Sequence, residues 1–305
     1  LKTTAQALQR RGHDVRLVVY GHGLGDDDSG VPLRRGPRIP LARRTAAGPS
    51  PMKPVLDLAL VSTLRRVVRE ERIDIVHAHN YEGLMVALAA GQRPIVYHAH
   101  NAMADELPHY FRGWSRTADA GRVLDRQLPR RADAAIAPHA ALADYLVASG
   151  CPAEKVTVIP PCVDVEAFAA PEVGEEPVVL YTGNLDRYQN TNLLAAAMDR
   201  VRQELPDARL LLATADRREF PGAEKVATPD FASVREILAR DAVVACPRVS
   251  WSGYPMKLLN AMAAGRPAVA CRSAAHPLRN GVTGLVVSDD EVEAFAAALL
   301  RLLKD

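Results

Sequence analysis

The sequence predicts an α/β protein with two lobes, each built on a parallel β-sheet that helices cover on both faces. Three observations support this prediction. The chain has 305 residues, about twice the length of an average domain. Its composition is 48% hydrophobic but only 5% aromatic, which suits helices packed on a sheet better than a β-sandwich. Short apolar segments alternate with longer amphipathic ones along both halves of the chain.

The first half of the chain shows this alternation clearly. Val55–Glu71 is the best example of helical periodicity, because Leu56, Leu60, Leu64 and Val68 fall on one face. The other predicted helices are Leu1–Arg11, Tyr81–Ala90, Trp114–Leu128 and Ala140–Ser149. The predicted strands are Asp14–Tyr20, Ile73–His77, Pro94–His98, Ala134–Ala137 and Val156–Ile159. The predicted loops are residues 21–54 and 104–110. Because the sequence opens on a helix, we expect a further strand and loop upstream.

A polar segment, Asp164–Pro177, separates the two halves and predicts a linker. The alternation then starts again. The predicted strands are Val178–Thr182, Arg209–Ala213, Ala242–Cys246, Ala268–Cys271 and Leu285–Val287. The predicted helices are Thr191–Glu204, Phe231–Ala239, Pro255–Ala264 and Glu291–Leu303. We therefore divide the chain into Rossmann-like lobes 1–165 and 166–305, and expect ligands in a cleft that the carboxyl ends of both sets of strands face.

Charge and cysteine content narrow the class of protein. A net charge of +2 predicts no nucleic-acid partner. Four scattered cysteines without a CxxC pair, together with the lack of an 18-residue apolar run, predict a cytoplasmic location without a membrane span.

Two parts of the first half of the chain are basic. Residues 29–56 contain no acidic residue, and Arg122, Arg126 and Arg130 share one helical face. Such basic surfaces suggest peripheral contact with a membrane, although most charged faces are simply solvated.

The segment Ser252–Gly265 has the features of an anion-binding helix start. Pro255 suits the first helical turn, because that position needs no N–H donor. Gly253 lets the backbone approach a ligand closely, and the free N–H groups of a helix N-terminus attract an anion such as a diphosphate. Lys257 is unfavourable in the first turn unless it meets such an anion. The alternative is a solvated lysine on the helix surface.

Four segments resemble family 4 glycosyltransferases, in the same order along the chain. Ser252–Ala270 (SGYPMKLLNAMAAGRPAVA) resembles the donor-binding segment of that family, and Arg131–Phe168, Tyr181–Gly183 and Gly281–Val287 resemble other parts of it. These are retaining enzymes with the two-lobed GT-B architecture. The resemblance implies transfer from a nucleotide-sugar donor, such as a UDP- or GDP-sugar, to a saccharide or lipid-linked acceptor. It also implies that no bound metal or other cofactor is required, and it allows contact with the inner face of a membrane.

The sequence departs from the family pattern at two donor-site glutamates that are separated by seven residues. In the family the first contacts the donor sugar and the second contacts the ribose; here these positions are Ser252 and Asn260. Both side chains keep hydrogen-bonding ability but carry no charge. We favour a rearranged donor site over a site that has lost catalysis, because hydrogen-bonding side chains were kept.

The family's diphosphate-binding Arg and Lys are also replaced, by Asn184 and Gln189. From their nearness in the sequence and the predicted fold, we expect Arg187 and Lys257 to supply the lost positive charge. The usual Gly-x-Gly after the next strand is Thr214–Asp216 instead. The complete set of predicted donor-binding residues is Asn184, Arg187, Gln189, Gly253, Tyr254, Pro255, Met256, Lys257 and Asn260.

Four histidines lie at the ends of two predicted strands of the first lobe. His77 and His79 follow one strand, and His98 and His100 follow another. A zinc site is one interpretation, but no acidic or cysteine ligand occurs at comparable spacing, so we predict no metal. We expect His77 and His98 to point away from the other pair and to bond backbone groups.

By its resemblance to the family, His100 is predicted to lie near the donor sugar and, with Ser252, to be catalytic. His79, Asn80 and Glu106 are predicted on the acceptor side. Two other functions stay open: a non-catalytic protein that binds nucleotides or sugars, and a sugar-nucleotide epimerase. An epimerase would require acidic and basic groups around the sugar, and the uncharged Ser252 and Asn260 argue against it.

Overall fold

The chain divides into two units, Leu1–Ile159 and Pro160–Asp305, in a computed structural model. The described residues are 2–22, 30–40, 52–111, 114–168, 174, 176–228, 230–240 and 242–304. The division falls at 159/160, whereas the sequence-based boundary at 165/166 stays a prediction. The expected cleft and the expected strand before residue 1 also stay predictions. Each unit is an α/β layer structure with parallel strands, as the alternating pattern predicts.

The first unit contains two parallel sheets. Its strands are β1 (Leu17–Val19), β2 (Leu33–Arg35), β3 (Val76–His79), β4 (Ile95–His98), β5 (Ala134–Ala137) and β6 (Val156–Val158). Its α-helices are α1 (Lys2–Arg10), α2 (Lys53–Glu70), α3 (Asn80–Ala90), α4 (Met103–Tyr110), α5 (Trp114–Gln127) and α6 (Ala140–Ala148). β1 pairs with β2, while β3, β4, β5 and β6 form a four-stranded sheet in that order.

Two elements of the first unit lie where the sequence predicted loops. β2 is a three-residue strand with two arginines, so it has no apolar alternation that the sequence could show. α4 occupies residues predicted as the loop 104–110. Its first backbone N–H groups, those of Met103 and Ala104, donate to the carboxylate of Asp125 at 2.9 and 3.0 Å. That carboxylate lies on α5, so the cap comes from a distant part of the chain and leaves no local signal.

The second unit has one six-stranded parallel sheet. Its strands are β7 (Val178–Thr182), β8 (Arg209–Ala213), β9 (Glu224–Val226), β10 (Val243–Cys246), β11 (Ala268–Cys271) and β12 (Leu285–Val287). Its α-helices are α7 (Thr191–Glu204), α8 (Phe231–Ala239), α9 (Met256–Ala263) and α10 (Val292–Lys304). The spatial order is β12-β11-β10-β7-β8-β9, so the strand order reverses between β7 and β10. Ligands of such sheets bind at this switch point, beyond the carboxyl ends of the strands.

Helices cover both faces of the six-stranded sheet. One apolar core lies under α7 and α10, with Met198 and Phe295 among its buried residues. The other lies under α8 and α9, with Leu238 and Leu258. Because β7, β10 and β11 are buried along their whole length, they read as continuous apolar runs and were predictable from sequence. β9, a short edge strand with two charged residues, was not predicted. No described helix combines the length and the apolar character that a membrane span requires.

Candidate functional site

The switch point of the second unit is formed by the loop after β7 and the loop after β10. The second of these loops leads into α9, whose N-cap is Pro255. Gly253 and Pro255 are buried, Tyr254 is half-buried, and Met256 is exposed. This arrangement presents the positive end of the helix dipole at the carboxyl edge of the sheet, as the sequence predicted.

Lys257 extends from the first turn of α9 into the protein, and only 8% of its surface is exposed. Its ammonium Nζ donates to Gln189 Oε1 at 2.9 Å and lies 3.9 Å from the centroid of the Tyr181 ring. In the described part of the chain no carboxylate neutralises it. Burial lowers the pKa of Lys257 to about 8, and the positive charge of Arg248 acts in the same direction. The alternative of a solvated surface lysine is therefore wrong.

Asn184 and Gln189, at the positions of the family's cation pair, bond to each other rather than pointing outward. The side-chain amide of Gln189 donates to Asn184 Oδ1 at 3.1 Å. The Asn184 amide in turn donates to Asp186 Oδ2 at 2.9 Å and contacts the Tyr188 hydroxyl at 3.1 Å. These two amides therefore hold Lys257 in place through one continuous chain of hydrogen bonds. Arg187 is exposed at the edge of this network.

The residues at the family's glutamate positions are both buried, with different consequences. Ser252 has 0% of its surface exposed, so direct contact with a donor sugar would require the loop before α9 to move. Asn260 lies one turn after Lys257 on α9, and its Oδ1 is buried without a hydrogen-bond partner among the described residues. A buried unsatisfied acceptor is unusual and is consistent with a ligand hydroxyl that binds there.

Sequence reasoning missed one cation at the switch point, Arg248, two residues after β10. Its guanidinium carbon lies 5.0 Å from the centroid of the Tyr188 ring. Its Nε and Nη2 bond to the carbonyl and the hydroxyl of Ser250 at 3.2 and 3.1 Å. The only available signal was an arginine just beyond an apolar strand, which is too common to single out.

The four histidines predicted at the strand ends of the first unit form one cluster at the carboxyl ends of β3 and β4. The rings of His77 and His79 stack at 4.5 Å, and His98 lies 5.4 Å from His77 and 4.8 Å from His79. His79 Nδ1 lies 3.2 Å from His100 Nε2. The expectation that His77 and His98 point away from the other pair is wrong, because residues i and i+2 of a strand share a face.

Burial keeps these imidazoles neutral. It lowers the pKa of His77 to about 4 and that of His79 to about 2, and neighbouring rings add to both effects. The pKa of the more exposed His100 is also lowered, to about 4. His77 Nε2 and His98 Nδ1 have no hydrogen-bond partner among the described residues. A neutral, partly unsatisfied cluster of this kind suits hydroxyl groups better than anions.

Three of these histidines, His77, His79 and His98, have ring nitrogens within 4.8 Å of one another. Such spacing is compatible with one metal ion. The His77 ring, however, lies within 26° of parallel with His79 and within 11° of parallel with His98. Lone pairs of stacked rings run side by side instead of converging on a point, whereas a zinc ion requires converging ligands. The expectation of a metal-free protein stays a prediction.

The other predicted acceptor-side residues lie near this cluster in sequence. Asn80 begins α3 with φ of +58°, and its Oδ1 is buried without a partner among the described residues. Glu106, on α4, accepts a hydrogen bond from the Asn101 side chain. Asn101 directly follows His100, so this hydrogen bond connects Glu106 on α4 to the segment that carries His100.

The fold places the protein in the class of α/β proteins with two consecutive units, each of which contains parallel β-sheet. The family follows from sequence comparison. The model of Glycosyltransferase Family 4 matches residues 1–167, and that of glycosyl transferases group 1 matches residues 176–305. The first match alone covers more than half of the 305 residues. The chain therefore belongs to glycosyltransferase family 4. The predicted fold class and the predicted glycosyltransferase family are confirmed.

Curated relatives match almost the whole chain at low identity. The sulfoquinovosyl transferase SQD2 of Arabidopsis thaliana is 26% identical over 329 residues, which cover 98% of this chain and 62% of that protein. The D-inositol 3-phosphate glycosyltransferase of Mycobacterium marinum is 27% identical over 348 residues, covering 99% of this chain and 72% of that protein. The chain thus spans less than two thirds of the length of the first of these relatives.

Solved structures share the fold. A sucrose-phosphate synthase from Thermosynechococcus elongatus superposes with a TM-score of 0.81 at 18% identity, covering 99% of this chain and 83% of its own. Anabaena HepE, solved in complex with UDP and glucose, superposes with a TM-score of 0.73 at 17% identity, covering 100% of this chain and 85% of its own. At these identities the likeness concerns the architecture.

Proposed function

We propose that the protein transfers a sugar from a nucleotide-sugar donor to a saccharide or lipid-linked acceptor, with retention of the anomeric configuration. The observation that carries the proposal is Lys257, a buried cation at the switch point of the second unit that pairs with no carboxylate among the described residues. Burying an unpaired charge is costly, so such a site is best explained by an anionic ligand. A nucleoside diphosphate has the matching charge, and the N-terminus of α9 adds backbone donors for it.

The donor site would work through differential charge stabilisation. As the bond between the anomeric carbon and the diphosphate oxygen breaks, negative charge develops on the leaving diphosphate, and Lys257 is placed to stabilise it. Asn184 and Gln189 orient Lys257, and the unsatisfied Oδ1 of Asn260 accepts a hydrogen bond from a ribose hydroxyl. Lys257 and the helix dipole supply the positive charge, so the proposed reaction requires no metal or other cofactor.

The neutral first-unit site would hold the reacting hydroxyls. His79, Asn80 and Glu106 are proposed to position the acceptor, and His100 to hydrogen-bond the donor sugar. The acceptor oxygen attacks the anomeric carbon on the face that the diphosphate leaves, and its proton passes to the departing diphosphate oxygen. No side chain has to act as a base, which agrees with the lowered pKa values of the histidines. The main contribution of this site is positioning.

The identity of donor and acceptor is supported in different ways. Structures of Anabaena HepE contain UDP and UDP-glucose, which favours a UDP-sugar over a GDP-sugar. On α5, Arg122 and Arg126 are exposed beside Val123, which is 60% exposed, and Arg122 is paired with Asp119. A basic face that also presents an apolar side chain suits anionic lipid headgroups. This face supports a lipid-linked acceptor at the inner face of the membrane and a cytoplasmic location.

The test is turnover with a panel of UDP- and GDP-sugars. We expect slow hydrolysis of one donor in the absence of acceptor, and transfer to a matching acceptor with retention, followed by proton NMR of the anomeric centre. Conversion of the donor into an epimer would identify an epimerase. Tight binding of a nucleoside diphosphate without turnover of any donor would identify a non-catalytic binding protein and refute the proposed transfer.

A further inference from the structure

We propose that Arg248 is a second diphosphate-binding residue, which together with Lys257 replaces the cation pair that is absent at Asn184 and Gln189. This inference rests on the proposed function, because it assumes that the switch point binds a nucleoside diphosphate. The replacement cations come from the loop after β10 and from α9, whereas the neutral amides lie in the loop after β7.

The guanidinium of Arg248 is positioned by three contacts. It stacks on Tyr188, bonds twice to Ser250, and lies directly against the backbone of Gly253. Tyr188 in turn contacts the Asn184 amide, which leads through Gln189 to the ammonium of Lys257. Arg248 and Lys257 therefore stand at the two ends of one connected network. Contacts of this kind hold a side chain in a fixed orientation before a ligand arrives.

Among the described residues, no carboxylate neutralises the charge of Arg248. In the described residues its polar contacts are to Ser250 alone, which leaves Nη1 without a hydrogen bond. Arg218, in the loop after β8, shows the contrast, because it pairs with both Asp216 and Asp186. Two unneutralised cations that repel each other are unfavourable in the free protein, and a bound dianion removes that cost.

Gly253 provides an independent observation. Its φ lies outside the left-handed region, so the backbone conformation does not require glycine. A Cβ atom at this position would lie 2.1 Å from Arg248 Nη2 and 3.1 Å from Arg248 Cζ. Any residue with a Cβ atom at this position would therefore require the guanidinium to shift from the place it occupies. The sequence-based explanation for this glycine is that the backbone approaches a ligand closely. The structure adds a second reason, because the Arg248 guanidinium occupies the space beside Gly253.

The experiment compares nucleotide affinities of Arg248→Gln, Arg248→Lys and the unsubstituted protein. Probes are UDP and GDP, together with uridine and guanosine, which lack the phosphates. We expect Arg248→Gln to weaken binding of the preferred diphosphate about tenfold or more, as loss of a charge-assisted hydrogen bond does. Arg248→Lys should lose less, and the affinity for the nucleoside should stay unchanged. The slope of affinity against salt should also fall in Arg248→Gln.

Two further variants serve as a negative control and as an independent test. Arg240→Gln removes an exposed arginine at the end of α8 and should bind the diphosphate as the unsubstituted protein does. Gly253→Ala keeps all charges but displaces the guanidinium, so it should weaken diphosphate binding even if Arg248→Gln folds poorly. Unchanged affinity in folded Arg248→Gln would overturn this inference and leave the proposed function standing. If the unsubstituted protein binds neither diphosphate, the proposed function fails as well.

Discussion

Burial shifts the pKa of Lys257 in the second unit and of the histidine cluster in the first unit in the same direction, but it leaves them in different charge states. Both lie at the carboxyl ends of parallel strands, and in the described part of the chain no carboxylate pairs with Lys257 or with the four imidazoles. Burial lowers the pKa of Lys257 to about 8, which leaves it mostly charged at neutral pH. The same effect lowers the pKa of His77 to about 4, which leaves it neutral. One site is therefore suited to phosphate, and the other to sugar hydroxyls.

The strongest test of this comparison is Lys257→Met, which keeps the apolar stem of the lysine and removes its charge. We expect nucleoside diphosphate affinity to fall ten- to a hundredfold, because a charge-assisted contact in a dry site is lost. Isothermal titration with UDP and GDP measures this change. Lys304→Met, which removes a surface lysine paired with Glu204, is the matched control and should have no effect. Unchanged affinity in Lys257→Met would show that Lys257 does not bind the diphosphate.

A second variant sharpens the result by moving the charge. Because Lys257 Nζ lies 2.9 Å from Gln189 Oε1, a lysine at 189 can bring its ammonium to nearly the same place. We expect the double variant Lys257→Met with Gln189→Lys to recover part of the lost affinity. No recovery in a correctly folded double variant would mean that the position of the cation matters as much as its charge.

The neutral site is tested by His100→Ala. We expect kcat to fall about tenfold or more, because a hydrogen bond to the sugar is lost in the transition state. Affinity for the nucleoside diphosphate should change little, since that ligand is assigned to the second unit. Donor turnover and UDP titration on the same preparation separate the two effects. If His100→Ala lost as much diphosphate affinity as Lys257→Met, the proposal that the diphosphate binds only at the second-unit site would be wrong.

The pH dependence of Lys257 gives a smaller effect with a distinctive sign. Above pH 8 the free protein loses this positive charge, so diphosphate affinity should fall several-fold between pH 7 and 9. The free energy of unfolding should instead increase as the pH rises. The unfolded chain keeps the proton up to the ordinary pKa of lysine, whereas the folded protein releases it at a lower pH. Folding is therefore increasingly favoured as the pH rises between these two pKa values. Both slopes should vanish in Lys257→Met, as measured by titration and by urea unfolding.

The histidine cluster should give the smallest effect, on acid stability. The folded-state pKa values of His77 and His79 lie below that of a free histidine, so unfolding becomes easier as pH falls from about 6.5 towards 4. We expect His79→Gln to reduce this slope, in urea unfolding at pH 7 and pH 5. His13→Gln, in an exposed turn, is the control. An identical slope in His79→Gln would show that burial of the cluster is not what destabilises the protein in acid.

Most strands and helices were predictable because each has a local cause. The buried runs of β7, β10 and β11 are apolar throughout, and α2 has a strong helical period, so these elements follow from short stretches of sequence. The exceptions depend on distant partners or on weak edges. α4 needs the Asp125 carboxylate of another helix, and β2 and β9 are short strands with charged residues.

The helix α9 and the place of Lys257 in its first turn were predictable from the sequence, but the contacts around that lysine were not. The resemblance of Ser252–Ala270 to a donor-binding segment drew attention to α9, and the helix-dipole argument identified Lys257 as an unusual cation. Neither gave a reason to expect that Asn184 and Gln189 would bond to each other, or that Arg248 would occupy the space beside Gly253. These contacts join loops that are far apart in the sequence.

The sequence alone determined the α/β class, the family and the position of α9, because apolar period and local motifs carry that information. Only the tertiary structure decided which charges are buried, which are neutralised, and which share a network. Those properties depend on side chains from separate loops that meet at the carboxyl edge of a parallel sheet. Lys257 shows the difference: its position in the first turn of α9 is a fact of sequence, whereas its lowered pKa and its amide partner are consequences of packing.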